Sequence, residues 1–336
     1  METLTNPAKE KYLIIRFSSI GDIVLTTPVV RALRAAKPEA EIHFLVKKEY
    51  RSILESNPYI TQIHTFQKGD EEVLKELKNL HFNCIIDLQK NNNSRRVSRL
   101  LGIPRYSFPK LNIRKWFLVY LKINSLPPLH IVDRYARAIA PLSVELDQKG
   151  LDFFIREEEL QFCDTLPTPF RDRFVAIALG ANHKTKQIPY HQLQHLCSLL
   201  HLPIILLGGK DVLRMGEQLA AQNPNQILNL CGCINLHQSA AVIQRSHCLV
   251  TPDTGLMHIG AALRTPMAVI WGNTVPELGM YPYNPSQDAI PIRNFEIASL
   301  SCRPCSKLGY KKCPLGHFRC MERINMEEVA YFINQI

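Results

Sequence analysis

The first candidate for chemistry is a carboxylate, Asp22, in the loop Arg16–Asp22 that follows a predicted strand at 12–17. The loop lacks the G-x-G-x-x-G pattern that binds a dinucleotide, and a carboxylate at the start of a helix repels a pyrophosphate. We therefore expect Asp22 to accept a proton from an incoming hydroxyl group. The alternative is that Asp22 only caps the helix, because Asp is a preferred capping residue.

Two loops in the second half of the chain contain residue types that suit a diphosphate. The first follows a predicted strand at 173–179 and contains Lys186 ahead of Pro189, and Pro commonly opens a helix. The second contains Gly208 and Gly209, whose missing side chains allow a ligand to approach the backbone closely. Lysine ammonium groups and helix-start amides bind phosphate oxygens, although solvated loop lysines and turn glycines are also common.

The strongest local motif is D-T-G-L-M-H at 253–258, which follows a predicted strand at 247–251 and opens a helix through Leu263. Small residues at a helix start leave backbone amides available to bind an anion. His258 is expected one turn along, on an accessible side of the helix. A simple capping role for Asp253 and a core-edge position for His258 are the alternatives.

Four of the ten cysteines cluster near the C-terminus as Cys302-x2-Cys305-x7-Cys313-x6-Cys320, with His317 between the last two. A C-x2-C pair is one half of a thiolate cage, so the pattern predicts a possible structural zinc site. Clustered free thiols that hold an irregular segment together are the alternative.

The whole net charge lies in one stretch of the chain. The protein has 40 Lys and Arg against 30 Asp and Glu, a net charge of +10, and residues 88–140 contain eleven basic residues and one acidic residue, Asp133. Aromatic residues are interleaved with this charge; they are Phe108, Trp116, Phe117 and Tyr120. Nucleic acid, an anionic membrane surface and a polyanionic soluble substrate are the partners that fit. A solvated basic face without a partner is the alternative.

Strand-like and helix-like segments alternate along the chain, which is typical of βαβ units in a parallel sheet. The first half is predicted to contain strands at 12–17, 41–46 and 84–88 and a helix at 22–36, and the second half strands at 173–179, 203–207, 247–251 and 267–271. The charged and proline-containing segment 145–170 is interpreted as a linker. A length of 336 residues with 46% hydrophobic residues suffices for two domains, each with its own core.

The N-terminal residues do not have the pattern of a secretory signal. The apolar stretches are also shorter than the roughly 18 residues that a membrane span needs. We therefore expect a cytoplasmic protein whose cysteines are reduced.

Together these motifs resemble glycosyltransferase family 9, the ADP-heptose:lipopolysaccharide heptosyltransferases. The resemblance rests on R-x-S-S-x-G-D-x-x-x-T-x-P at 16–28, the lysine loop ending at Pro189, L-G-G at 207–209 and D-T-G-L-M-H at 253–258. G-N-T-V-P at 272–276 and the late cysteine segment are also similar to family members. The resemblance implies an α/β chain with the GT-B fold, in which two Rossmann-like parallel-sheet domains face each other across a cleft.

The resemblance further implies an acceptor-binding domain at 1–160, a nucleotide-sugar-binding domain at 171–320 and a C-terminal helix at 321–336. Asp22 is then the general base of an inverting transfer that needs no metal cofactor. The residues assigned to the donor are Lys186, Gly208, Gly209, Asp253, Thr254, Gly255 and His258. The acceptor is assigned to Ser18, Ser19 and Gly21 beside Asp22 and, from the charge of the basic stretch 88–140, to Arg95, Arg96 and Arg99.

The function expected on this basis is transfer of heptose from ADP-heptose to a lipopolysaccharide core or a related glycolipid. The expected partners are the nucleotide sugar, an anionic lipid-linked saccharide and the inner face of the cytoplasmic membrane, where the protein is expected to be peripheral; nucleic acid is not expected. Two alternatives stay open: a same-fold transferase that uses another nucleotide sugar, and a non-catalytic protein that binds anionic lipid or nucleic acid. Asp22 with Lys186 favours the enzyme, because a binding module has no need for a carboxylate in the cleft.

Overall fold

The structure is a computed structural model that describes residues 9–67, 69, 71–286 and 290–336. The chain forms two compact units. The first contains the described residues up to Lys110 together with Ile131–Lys149, and the second contains Leu111–His130 together with Gly150–Ile336. The chain therefore passes between the units three times.

Each unit is built on one parallel sheet. In the first unit the strands are β1 (Lys11–Ile15), β2 (Glu41–Lys47), β3 (Gln62–Phe66), β4 (Cys84–Asp87) and β5 (Arg105–Ser107). In the second unit they are β6 (Val175–Ala178), β7 (Ile204–Leu207), β8 (Ile227–Asn229), β9 (Cys248–Pro252), β10 (Met267–Trp271) and β11 (Ile292–Glu296). Neighbouring strands run parallel in both sheets.

Short helices connect the strands. The α-helices are α1 (Ile20–Val24), α2 (Thr27–Ala36), α3 (Glu71–Asn79), α4 (Asn92–Leu101), α5 (Asn112–Trp116, continued by a π turn over Phe117–Leu121), α6 (Ile131–Tyr135), α7 (Glu157–Leu160), α8 (Tyr190–Leu199), α9 (Leu213–Ala220), α10 (Leu236–Arg245), α11 (Gly255–Ala262), α12 (Arg319–Glu322) and α13 (Met326–Gln335). Turns of 3₁₀ type cover Lys48–Ile53, Ala136–Ala138, Ala140–Leu142, Gln161–Thr165, Thr168–Phe170, Lys184–Lys186, Lys210–Val212 and Pro276–Leu278. No helix in the described part of the chain combines the length and the apolar character needed to cross a bilayer.

The strand order marks one position in each sheet where ligands bind. The first sheet has the order β3-β2-β1-β4-β5 and the second the order β11-β10-β9-β6-β7-β8. Both follow the Rossmann pattern, in which the connections leave the central pair of strands in opposite directions. Ligands of such sheets bind at the carboxyl ends of that central pair. The pair is β1 and β4 in the first unit and β6 and β9 in the second.

The central strands are continuous apolar runs because helices cover both faces of each sheet. In β1 the residues Tyr12–Ile15 are buried, and all four residues of β6 are buried. The loops that leave these strands therefore start from a rigid support. The candidate residues Asp22, Lys186 and Asp253 lie in the connections that follow β1, β6 and β9, Asp22 in α1 and Lys186 in a 3₁₀ turn.

The single helix predicted at 22–36 is wrong, because the structure contains two helices there, α1 and α2. Pro28 has no backbone N–H to donate to the carbonyl of Val24, so one helix cannot run through it. The hydroxyl of Thr27 donates to that carbonyl instead, at 2.8 Å, and the hydroxyl of Thr26 donates to the carbonyl of Ile23 at 2.7 Å. Asp22 consequently lies in a short helix of its own.

The segments 111–130 and 150–160 belong to the second unit, whereas the predicted domain division assigns them to the first. Leu118 of the former segment packs with Val275 and Leu278 of the second unit. In the latter segment the buried carboxylate of Glu159 accepts a hydrogen bond from Asn235 Nδ2 at 2.6 Å. The predicted linker at 145–170 is thus packed structure over much of its length.

Candidate active site

Asp22 is held at the carboxyl end of β1 by two neighbours. Its Oδ2 accepts hydrogen bonds from the backbone N–H of Ser19, at 3.1 Å, and from the Ser19 hydroxyl, at 2.8 Å. Its Oδ1 lies 2.5 Å from Nη2 of Arg16. Ser19 is the N-cap of α1 and Asp22 is its third residue, so Asp22 is not the N-cap itself. The two residues form a capping box, in which Asp22 accepts from the backbone N–H of Ser19, so the predicted capping role is present in this form. The carboxylate is oriented by both contacts, and the arginine favours its ionised form.

Arg16 is the functional residue that the sequence analysis missed in this loop. Its buried guanidinium also donates to the carbonyls of Ser18, at 2.8 Å, and Leu88, at 2.6 Å, and to the hydroxyl of Tyr135, at 3.2 Å. Burial, the largest single effect, lowers the pKa of Arg16, but the charge and hydrogen bond of Asp22 together with the charges of Tyr135 and Asp87 outweigh it, so the pKa is raised. Its position at the start of the R-x-S-S-x-G-D motif was the available signal.

The carboxyl end of β4 carries a second, fully buried carboxylate, Asp87. It accepts hydrogen bonds from the backbone N–H of Lys90, at 2.6 Å, and from the hydroxyl of Ser94, at 2.8 Å, and Arg105 Nη1 lies 3.3 Å away. These contacts orient the start of α4, where Asn91 accepts a hydrogen bond from the backbone N–H of Ser94. Asp87 therefore has a structural role in positioning α4.

The predicted acceptor residues of α4 are Arg95, Arg96 and Arg99, and all three are exposed. No ion pair or hydrogen bond of these side chains is present within the described ranges. Ser18 and Ser19 lie in the loop between β1 and α1, Gly21 is the second residue of α1, and all three belong to the same unit as the three arginines. The first unit thus combines a fixed carboxylate with an exposed cationic helix.

The basic stretch 88–140 is divided between the two units, because its residues 111–130 belong to the second unit. Several of its cations are also used inside the protein. Lys90 Nζ donates to the carbonyl of Phe108 at 2.8 Å, Arg105 pairs with Asp87, and Arg134 is buried. Fewer cations are therefore available to a partner than the sequence count suggests.

In the second unit, Lys186 and Asp253 meet at the carboxyl ends of β6 and β9. Lys186 Nζ donates to Asp253 Oδ2 at 2.6 Å, and the hydroxyl of Thr274, which follows β10, donates to the same oxygen at 2.8 Å. Both charged side chains are largely buried. The expected cation is thus present at the central strand pair, neutralised by a carboxylate. Thr274 was not singled out in the sequence analysis.

The start of α11 lies next to this pair. Thr254 is the N-cap in an extended conformation, and its hydroxyl lies 3.3 Å from the hydroxyl of Thr251, while its side chain does not cap the helix in the described structure. The first-turn amides, beginning with Gly255, are then available for an anion.

The expectation that His258 lies on an accessible side is wrong, because His258 is buried. Helix α11 packs closely on β9 and β10, and Gly260 makes this possible. A Cβ atom at Gly260 would lie 2.8 Å from Leu249 Cδ2 and 2.9 Å from Met267 Sδ. His258 therefore lies in the interior of the second unit rather than on its surface.

Gly208 and Gly209 lie in the loop after β7, and packing explains why Gly208 has no side chain. A Cβ atom at Gly208 would lie 2.4 Å from Val212 Cγ2 and 3.3 Å from Cys231 Sγ. At Gly209 it would lie 2.7 Å from Asp211 Oδ1. The loop is close to Gly180 of the loop after β6, since a Cβ atom there would lie 3.8 Å from Gly208 Cα. The structure thus gives these glycines a packing role whether or not a donor binds here.

Arg303, within the C-x2-C pair, is a further residue that the sequence analysis missed. Its buried guanidinium donates to the carbonyls of Gly272, at 2.6 Å, and Thr274, at 2.9 Å, and to Glu296 Oε2, at 2.9 Å. These bonds fix the loop after β10, from which Thr274 reaches Asp253. Arg303 therefore helps to position the Lys186–Asp253 pair, because it holds the loop whose Thr274 hydroxyl donates to Asp253.

The four C-terminal cysteines line one small cavity together with His317. Cys302 Sγ lies 3.9 Å from His317 Nε2. Within the ranges given above, no three Cys, His, Asp or Glu side chains are arranged to hold a metal ion. Burial raises the pKa of Cys320 to about 11, which favours the neutral thiol. The thiols converge without forming a coordination sphere, and the structural zinc stays a prediction.

Comparison with known proteins identifies the chain. The model of glycosyltransferase family 9 (heptosyltransferase) matches residues 71–310. The chain belongs to this family. Two relatives are lipopolysaccharide heptosyltransferase 1 of Campylobacter coli, 24% identical over 79% of this chain and 84% of the relative, and lipopolysaccharide core heptosyltransferase OpsX of Haemophilus influenzae, 23% identical over 91% of both.

Solved structures agree with the family 9 assignment at the level of the fold. A family 9 glycosyltransferase from Veillonella parvula matches with a TM-score of 0.75 and 20% identity, over 97% of this chain and 98% of that one. The heptosyltransferase WaaC of Escherichia coli with ADP-2-deoxy-2-fluoro heptose matches with a TM-score of 0.67 and 18% identity, over 97% and 99%. The predicted GT-B fold class with two Rossmann-like domains is confirmed. The family 9 chain is a glycosyltransferase, which decides against the non-catalytic alternative.

Proposed function

We propose that this family 9 glycosyltransferase moves heptose from ADP-heptose, with inversion, onto a lipopolysaccharide core or a related anionic glycolipid. The reaction takes place at the cytoplasmic face of the inner membrane. The names of the relatives support heptose and lipopolysaccharide. The Escherichia coli neighbour WaaC binds ADP-2-deoxy-2-fluoro heptose, which supports an ADP-sugar as the donor.

The observation that carries the proposal is the Lys186–Asp253–Thr274 cluster. It lies at the carboxyl ends of β6 and β9, where a Rossmann sheet of this order binds a nucleotide. An ammonium group has three N–H donors and Asp253 accepts one of them. Lys186 therefore has donors for a diphosphate while Asp253 keeps it in place.

In the chemical step, the acceptor hydroxyl oxygen attacks the anomeric carbon of heptose from the side opposite the diphosphate. The bond to the β-phosphate oxygen breaks, its electron pair leaves with ADP, and Asp22 takes the hydroxyl proton. When Asp22 becomes neutral, Arg16 keeps hydrogen bonds to two backbone carbonyls and to Tyr135. These acceptors limit the cost of leaving the buried arginine without its anion.

The departing ADP carries the negative charge that must be stabilised. We assign this role to Lys186 and to the first-turn amides of α11 after Thr254, because a helix start attracts anions. Because Gly255 has no side chain, a diphosphate can closely approach the backbone amides at the start of α11. On this proposal catalysis needs no metal cofactor, since these groups supply positive charge to the diphosphate.

The anionic acceptor is assigned to the first unit. Arg95, Arg96 and Arg99 are exposed on α4 and suit the phosphate groups of a lipid-linked saccharide core. Ser18, Ser19 and Gly21 lie beside Asp22 in the loop that the proposal gives to the acceptor hydroxyl.

A thermal-shift panel of ADP-, UDP- and GDP-sugars tests the donor. We expect ADP-heptose to raise Tm most, and Lys186→Met to remove most of this shift because the diphosphate loses its cation. Lys184→Met is the matched control, since this lysine lies in the same 3₁₀ turn but is exposed. An equal or larger shift with a UDP- or GDP-sugar would instead support a transferase for another donor. NMR of the product establishes whether the anomeric configuration is inverted.

A further inference from the structure

Exposed large apolar side chains are concentrated on one short helix of the second unit. We call it the aromatic helix: α5 with its π turn, Asn112–Leu121. Its exposed side chains follow helical i, i+3, i+4, i+7, i+8 spacing, and they are Ile113 (72% exposed), Trp116 (49%), Phe117, Tyr120 (62%) and Leu121. A stripe at this spacing normally faces a core. A contiguous apolar surface in solvent marks an interaction site.

The opposite side of the aromatic helix is anchored. Leu118 and Val119 are buried, and Leu118 packs with Val275 and Leu278. At the end of the helix, Lys122 Nζ donates to the carbonyls of Val119, at 2.8 Å, and Pro304, at 2.7 Å. The exposed stripe is therefore presented on a fixed support of the second unit.

Cations lie on the aromatic helix itself and in the chain segment that follows Pro304, the residue that Lys122 contacts. No acidic residue occurs at 111–132 or at 297–321. Arg114 is exposed on the helix itself, and the segment that follows Pro304 exposes Lys307, Lys311 and Lys312. An apolar stripe with cations around it complements a layer of anionic headgroups above an acyl layer.

We propose that the aromatic helix docks this protein on an anionic phospholipid bilayer. The helix lies in the interface, with Trp116 and Tyr120 at the level of the headgroups and Ile113 and Leu121 at the acyl boundary. Aliphatic members of the stripe cannot stack on bases, so a nucleic acid suits this surface less well. The docking proposal rests on the proposed function in one respect only, which is the choice of a bacterial lipid mixture for the vesicles.

A second copy of this chain fits the stripe poorly. A two-fold dimer would bring the same surface of both copies together. The cations of the segments 111–132 and 297–321, which contain no acidic residue, would then oppose their counterparts in the other copy, which is unfavourable. The charge of the surface therefore favours a lipid over a symmetric partner.

Intrinsic fluorescence reports the contact directly, because the protein has two tryptophans and the other one, Trp271, is 1% exposed. The full chain is titrated with vesicles of phosphatidylethanolamine and phosphatidylglycerol. We expect a blue shift of the Trp116 emission and its quenching by lipids brominated in the acyl chain. Phosphatidylcholine vesicles should give a much weaker response. An unshifted, unquenched emission with the anionic vesicles would overturn the proposal.

Two matched double variants distinguish docking through the aromatic helix from nonspecific adsorption of exposed apolar side chains to vesicles. Trp116→Ser with Tyr120→Ser should weaken co-sedimentation with anionic vesicles at least about tenfold, because two side chains leave the interface. The matched control is Leu160→Ser with Tyr331→Ser, which are 45% and 64% exposed in the same unit, and it should bind like the unmodified chain. An equal loss in both pairs would contradict the assignment to the aromatic helix.

Transfer to a delipidated, water-soluble acceptor distinguishes this proposal from the proposed function. Full transfer with lost vesicle binding in the Trp116 and Tyr120 variant supports docking. A chain that binds vesicles but transfers no heptose contradicts the proposed function and leaves docking supported.

A vesicle-independent dimer that the same two substitutions dissociate would assign the stripe to a second copy. Preferential binding of a single-stranded oligonucleotide would assign it to nucleic acid, and either result would overturn docking.

Discussion

Asp22 and Lys186, on which the proposed chemistry depends, are each held by a partner of opposite charge. The Arg16–Asp22 and Lys186–Asp253 contacts measure 2.5 and 2.6 Å, and the four side chains are mostly buried. Ion pairs this short fix the direction of a side chain before the substrate arrives, which lowers the cost of orienting it in the transition state.

Replacing Asp22 with Asn should abolish most transfer and leave donor binding nearly intact. The amide is isosteric but cannot take the proton, and a general base contributes about 10²–10⁴-fold to a rate. We therefore expect kcat to fall at least about 100-fold, with an unchanged thermal shift by ADP-heptose. Asp147→Asn is the matched control, since Asp147 pairs with Arg31 at 2.7 Å in the same unit. Transfer by Asp22→Asn within about threefold of the unmodified enzyme would exclude Asp22 as the base.

The first unit should lose stability as the pH falls below about 6.5, the ordinary pKa of histidine. His43 and His64 are buried side by side, with His43 Nδ1 2.8 Å from His64 Nε2. Burial lowers the pKa of both and outweighs the opposite effect of Glu41 and Glu76. Below pH 6.5 the unfolded chain therefore binds protons that the folded chain does not, so stability falls with pH until the lowered pKa values are reached.

Denaturant unfolding at pH 7.5 and pH 5.5 measures this acid sensitivity. His64→Gln should reduce the difference in the free energy of unfolding between the two pH values, because one buried titrating group is removed. The exposed His201 provides the control, His201→Gln, which should keep the full difference. An identical pH dependence in His64→Gln and the unmodified protein would rule out the buried pair as the cause.

The loops after the strands hold the candidate residues because neighbouring loops pack on one another. Gly272 follows β10, and a Cβ atom there would lie 2.7 Å from the backbone oxygen of Thr185 and 2.6 Å from Met321 Cε. Thr185 immediately precedes Lys186. The loop that contains Thr274 therefore packs closely against the backbone of the turn that contains Lys186.

Gly272→Ala should destabilise the second unit by about 1–3 kcal/mol, the usual cost of overpacking. Because the backbone of Thr185 must shift, binding of ADP-heptose should weaken as well. Gly180→Ala is the control in the same group of loops, since its nearest contact, Val212 Cγ2, lies at 3.7 Å. Chemical denaturation and the thermal shift by the donor measure the two effects. Equal stability of the two variants would show that the close approach at Gly272 is unimportant.

Helix α4 should determine the affinity for an anionic acceptor. Replacing Arg95, Arg96 and Arg99 with Glu should raise the acceptor KM and leave the donor KM unchanged, because only acceptor phosphates lose cations. The effect should shrink at high salt. The matched charge change is the triple replacement of exposed Lys48, Lys75 and Lys78 with Glu in the same unit. If both triple variants raise the acceptor KM equally, the effect is one of net charge and α4 is only a solvated face.

Over the whole molecule, the positive charge of the stretch 88–140 is divided between the two units. The segment 111–130 contributes its cations to the second unit, and the remainder of the stretch 88–140 contributes to the first. Vesicle binding through the aromatic helix and acceptor binding through α4 are therefore separable properties of the chain. Substitutions in one unit should leave the other property unchanged.

Chelation should leave turnover unchanged, since the proposed stabilisation of the diphosphate uses an ammonium group and helix amides. Transfer rates before and after treatment with EDTA measure this. A collapse of turnover that Mg²⁺ or Mn²⁺ specifically restores would contradict the proposal. Unfolding by a strong zinc chelator would be a separate result in favour of zinc at Cys302, Cys305, Cys313 and Cys320.

The sequence by itself determined the interior of both sheets and the loops that carry the candidate residues. All seven predicted strands are interior strands, β1, β2, β4, β6, β7, β9 and β10, and most of their residues are apolar and buried. The four strands it did not predict, β3, β5, β8 and β11, are the four sheet edges. Edge strands are partly exposed, so their side chains do not form the long apolar run that marks a buried strand.

Only the tertiary structure decided which partners these residues have. The pairing of Lys186 with Asp253, the role of Arg16 and Arg303, the burial of His258 and the transfer of 111–130 to the second unit all depend on contacts between residues far apart in the chain. Residue spacing encodes the local period of a helix or strand, whereas burial and ion pairing depend on which elements pack together. The exposed face of the aromatic helix likewise became apparent only in the structure, because an apolar stripe in a sequence normally predicts a buried face.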